Sequence, residues 1–91
     1  MLGESLQTLF KRFFDEAAAY LEQPGVMKAL ELDQLCMKLY PLVARETGDM
    51  ALSNSIRDFG RNLPRKEVAD LRVLFEEIQE LAADLEERPV E

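Results

Sequence analysis

The chain has 91 residues, 47% of them hydrophobic and 32% charged, with a formal net charge of −7 and no histidine. That length supports one hydrophobic core, the balance excludes disorder, and the negative field disfavours nucleic-acid backbones and anionic membrane surfaces. Without histidine, Ser-His-Asp and Cys-His catalysis and the Glu-x-x-His metal sites of helical bundles are excluded, so no enzyme, metal centre or cofactor is expected.

The first predicted element covers residues 3–22. Leu2, Leu6, Leu9, Phe10, Phe13, Ala17, Tyr20 and Leu21 recur at helical spacing, while Lys11, Arg12, Asp15 and Glu16 lie mostly on the other face. Pro24-Gly25 ends it, since proline cannot continue the hydrogen bonding. The opening decapeptide has no basic region followed by a long apolar run, and the longest apolar run anywhere is Ala17–Leu21. Neither a secretory signal nor a membrane span is expected, and a cytoplasmic location is. A lone cysteine, Cys36, fits a reducing compartment.

The second element, residues 26–46, changes face. Val26, Met27 and Leu30 point one way, and Leu32, Cys36, Leu39, Tyr40 and Val43 roughly the other, with Leu35 and Leu42 widening that side. One helix with different neighbours along its length explains this, and so does a break near 32–33 with Asp33 as a new N-cap. The single helix is preferred. Pro41 is expected to kink it, and Gly48 to close it in the left-handed conformation.

Asp49 is placed as the cap of a third helix, residues 49–59, ending at Gly60. Pro64 is placed at the start of a fourth, residues 64–87. Val68, Leu71, Phe75, Ile78, Ala82 and Leu85 give that helix a 3-4-3-4-3 series, and Leu74 and Leu81 broaden its stripe beyond a simple two-stranded seam. A helix packed between two neighbours shows this width. The fold class is therefore all-α: a small irregular four-helix bundle with a long C-terminal helix, closed within one chain or completed by a second.

Three constellations are candidates for function. Residues 57–66 carry four bases against one acid in an otherwise acidic chain. Arg57, Arg61, Arg65 and Lys66 beside a helix N-terminus would form an anion site, or pair with Asp58, Glu67 and Asp70 as a solvated joint between helices. In the other direction, Glu76, Glu80, Asp84 and Glu87 fall at i, i+4, i+8 and i+11 as an acidic stripe suited to docking a basic partner; in the bland alternative it is a solvated face balanced in part by Arg72.

The third is a surplus of large apolar residues: Phe14, Val26, Met27, Leu30, Met37 and Val73, more than a small bundle needs to bury. Together these features suggest a noncatalytic interaction module, a small acidic accessory or adaptor protein. Its expected partner is another protein chain, in the first place a second copy of itself as a homodimer and otherwise a bound partner helix, with no membrane and no small-molecule substrate. The alternative is a small nucleic-acid-binding regulator using the basic turn 57–66.

Overall fold

The computed structural model describes residues 4–63 and 65–87, with side chains placed for 6–63 and 65–85. Four helices make up the fold: α1 (Glu4–Glu22), α2 (Val26–Thr47), α3 (Met50–Asn62) and α4 (Val68–Glu87). No strand occurs among the described residues, and the architecture is a small all-α bundle.

Consecutive helices pack against each other, and α4 returns to α1 through the sparsest seam, so the four form a ring. Short connections enforce this order. The core is filled from all four helices. Leu6, Phe10, Phe13 and Ala17 come from α1, Leu32, Leu39 and Val43 from α2, Leu52, Ile56 and Phe59 from α3, and Leu71 and Ile78 from α4. Phe13 is the keystone. Its ring meets Phe59 edge-on at 5.6 Å, Phe14 at 5.4 Å and Phe75 at 6.4 Å, separations at which edge-to-face contact is favourable. The broad stripe of α4 is explained by its two neighbours, α3 and α1.

Each joint has a chemical reason. The C-terminal end of α1 has no basic residue of its own in its last turn. Arg72 Nη2 of α4 donates to the Leu21 carbonyl at 3.4 Å and Lys28 Nζ to the Gln23 carbonyl at 3.3 Å, bringing positive charge to the negative end of the dipole. The balancing role expected of Arg72 against Glu76 is thus replaced by a contact with α1. At the end of α2, Gly48 adopts φ 73° and returns its N–H to the Ala44 carbonyl at 3.1 Å. Asp49 then caps α3, its Oδ1 accepting from the Leu52 N–H at 3.0 Å.

α2 runs unbroken from Val26 to Thr47, through both the suspected break at 32–33 and Pro41. Its change of apolar face reflects neighbours. Leu32, Leu35, Cys36, Leu39 and Val43 are buried against the bundle, whereas Val26, Met27 and Leu30 at the N-terminal end are exposed. About three turns beyond Leu30, the missing N–H of Pro41 leaves the Met37 carbonyl without its usual helical donor. Nearby, Ser53 Oγ of α3 donates to the Tyr40 carbonyl at 2.7 Å and ties the two helices together.

Two expected boundaries are corrected. Gly60 does not end α3, which continues to Asn62, and Gly48 is the one glycine with positive φ among the described residues. Gly60 serves close packing instead: a Cβ there would lie 2.8 Å from Cys36 Cβ and 3.2 Å from Cys36 Sγ. The last helix begins at Val68, not at 64. Arg65 and Lys66 both return their N–H groups to the Asn62 carbonyl at 3.0 Å, forming a turn, and the Leu71 N–H bonds to Glu67, which closes the first turn of α4. Pro64, assigned above to a helix start, lies outside the described residues.

A candidate binding groove between α2 and α3

The close approach allowed by Gly60 shapes a groove of about 870 Å³ where α2 and α3 meet the end of α1. Its apolar wall comes from α2: Val26, Ala29, Leu30 and Met37. Positions 26, 30 and 37 recur at i, i+4 and i+11, one face of the helix. These side chains lie largely in solvent, Val26 at 86%, Leu30 at 52% and Met37 at 60% exposure. They line a groove and yet leave at least half of their surface uncovered by the described residues. Such contiguous exposed surface marks interaction sites far more often than isolated apolar residues do.

The opposite wall is basic. Arg57 and Arg61 project from α3 and Arg65 from the following turn, with Asp33 of α2 as the acidic residue of the lining. Of the pairing expected for these bases, the Arg57–Asp58 ion pair is present among the described residues and those with Glu67 and Asp70 are not. Arg57 Nε lies 3.7 Å from Asp58 Oδ1, too far for a hydrogen bond, and that nitrogen is shielded from solvent without an acceptor. Among the described residues neither Arg61 nor Arg65 has an ion-pair or side-chain hydrogen-bond partner, so Glu67 and Asp70 do not neutralise them. Lys66 is exposed and stands outside the lining. Because α4 starts at Val68, the basic residues flank a groove and not a helix N-terminus.

Tyr20 and Cys36 form part of the floor. The Tyr20 hydroxyl donates to the Leu63 carbonyl at 3.1 Å, a buried bond linking α1 to the end of α3. Cys36 is buried, and burial, followed by the negative charges of Asp33 and Glu16, pushes its thiol from 9.0 up to about 12. A thiol so protonated is a packing group and a poor nucleophile at neutral pH.

The remaining sequence candidates are dispersed. Phe14 is half-buried in the aromatic cluster, against Phe10, Phe13 and Phe75, so its surface is largely spent on the core. Met27 is exposed beside the groove without lining it, and Val73 is exposed on α4. Glu76, Glu80 and Asp84 are exposed on α4 and none lines the groove, while the Glu87 side chain lies outside those described. Sequence reading found the apolar half of the groove and the basic half separately. It missed their juxtaposition, since Leu30 and Arg61 are brought together by helix packing and by no local pattern.

Among the described residues no helix is long and apolar enough to cross a membrane, and no group of histidine, cysteine and acidic residues is arranged to hold a metal ion. No protein-family model matches the chain, and comparison with curated proteins and with solved structures returns no match.

Proposed function

We propose that the chain is a noncatalytic interaction module of the cytoplasm that holds an amphipathic helix of a partner protein in the groove between α2 and α3. The observation that carries this reading is the unpartnered apolar wall of Val26, Leu30 and Met37 lining a groove of about 870 Å³. A groove walled by helices and offering anchors one and two helical turns apart along one face suits the apolar face of another helix. The exposed methionines, Met27 and Met37, supply side chains that adapt to a partner's shape.

A second copy of the chain is a less suitable occupant than a foreign helix. A two-fold dimer built on this groove would enclose Arg57, Arg61 and Arg65 from both copies in one interface, with Asp33 the only acid of the lining to offset them. Nor does the exposed side of α4 offer a ready apolar complement, as Val73 is its one large exposed hydrophobic residue.

The test is selection of binders from a displayed library of helical peptides, using the full chain as bait. Binders are expected that lose the chain when Leu30→Arg and Met37→Glu are introduced together, while the variant keeps its circular dichroism and melting temperature. Binders indifferent to that pair, or a selection that enriches nothing, would refute the reading. A variant that unfolds would show that Leu30 and Met37 belong to the core.

A further inference from the structure

Resting on the groove as a helix-binding site, we infer that its partner helix carries carboxylates beside its apolar stripe, and that Arg57, Arg61 and Arg65 are the residues that select them. Three observations point the same way. First, the chain is strongly acidic, yet its groove is not: three guanidinium groups face one carboxylate, Asp33, across it. Second, these cations are poorly neutralised from within. Arg57 Nε is shielded from solvent with its nearest carboxylate oxygen 3.7 Å away, and among the described residues Arg61 and Arg65 have no ion-pair partner. The Arg57 side chain is otherwise 41% exposed, so a partner carboxylate can meet the open part of the guanidinium and make the charge-assisted hydrogen bonds that Asp58 does not.

Third, the arrangement is periodic. Arg57 and Arg61 are one helical turn apart on α3, and Arg65 follows in the turn after it. They form a basic edge along the groove whose opposite edge is the apolar face of α2. A helix lying between the two would meet apolar side chains on one flank and guanidinium forks on the other. Its matching sequence has hydrophobic residues at helical spacing with aspartate or glutamate on one adjoining side. Arginine suits this task because its planar fork can bind a carboxylate through two parallel hydrogen bonds.

Nucleic acid fits the same observations less well. A phosphate backbone would find the three arginines, but beside Val26, Leu30, Met37 and the carboxylate of Asp33, and on a chain carrying a net charge of −7.

The experiment sorts the peptides selected on the full chain by composition, then measures one of them by fluorescence anisotropy against two changes. In the first, its flanking acids are replaced by glutamine, a change that leaves the protein untouched. In the second, the protein carries Arg57→Gln, Arg61→Gln and Arg65→Gln. The inference expects acidic flanks to be enriched, each change to weaken binding about tenfold, and the two together to cost little more than either alone. It also expects that affinity falls with added salt for the acidic peptide and hardly at all for its glutamine form.

Selected peptides with neutral or basic flanks that still depend on Leu30 and Met37 would overturn this inference and leave the helix-binding groove standing. Peptides that ignore Leu30 and Met37 would overturn both. Displacement of the acidic peptide by a single-stranded oligonucleotide, abolished by the three glutamine substitutions, would assign the arginines to nucleic acid and overturn the inference in that direction.

Discussion

Substituting Gly60 by alanine sets two effects of known sign against each other. Gly60 lies inside α3, where alanine favours the helix by about 1 kcal/mol. The added methyl, however, would sit 2.8 Å from Cys36 Cβ, whereas ordinary contact begins at 3.4 Å. Cys36 Cβ is fixed to the backbone of α2, so no rotamer change relieves the clash, and α2 and α3 must part locally by about 0.6 Å. Asp33 Oδ1 at 3.1 Å crowds the same point. Overpacking of this kind costs about 1–3 kcal/mol, which exceeds the propensity gain. The expected net loss is about 1 kcal/mol.

Urea denaturation followed by circular dichroism measures it. With a slope near 1 kcal/mol per molar, the midpoint should fall by about 1 M with the slope unchanged. Removing only the sulfur, by Cys36→Ala, leaves the Cβ in place and should not rescue Gly60→Ala. Gly25→Ala is the control: nothing lies within 4 Å of that position and its φ of −160° suits any residue, so its midpoint should hold or rise. A Gly60→Ala protein as stable as the parent would refute the close-packing argument, and recovery with Cys36→Ala would show that the sulfur and not the Cβ sets the spacing.

Other outcomes follow from single contacts. The folded-state pKa of Cys36 is raised from 9.0 to about 12, chiefly by burial, so its contribution to stability is complete below pH 9 and drains away as pH rises towards 12. Iodoacetamide at pH 8 should therefore modify the chain only as fast as it unfolds, and rapid modification of the folded protein would contradict this. Asp49→Ala removes the acceptor for the Leu52 N–H and should cost about 1 kcal/mol by thermal or urea melting; no loss would show the cap to be redundant. Tyr20→Phe leaves the Leu63 carbonyl without that buried donor and should cost about 1 kcal/mol, with an unchanged melting temperature as the contrary result.

Most of the bundle was legible from periodicity, because each helix buries a continuous face and its caps have recognisable chemistry. Asp49 and Gly48 do what their residue types suggest, and the doubtful two-faced segment resolves into one helix whose N-terminal apolar residues Val26, Met27 and Leu30 are exposed. Gly60 was misread for a physical reason. Glycine near a helix end signals either a left-handed cap or a close approach, and only the position of α2 distinguishes them. The start of the last helix was set too early because proline as a residue type suits turns as well as helix starts; the N–H groups of Arg65 and Lys66 return to Asn62, and α4 begins only at Val68. The groove was half legible. Exposed apolar residues on α2 could be inferred from an excess over core capacity, but opposing them with Arg57, Arg61 and Arg65 is a property of helix packing.

The central claim, that the face between α2 and α3 receives a partner helix, is tested most directly by methyl NMR of the full chain titrated with a selected acidic peptide. The account predicts that the methyl signals of Val26, Leu30 and Met37 shift together while those of Val73 and Met50 stay in place. Shifts centred on Val73, or an unmoved Leu30, would place the binding surface elsewhere and contradict it.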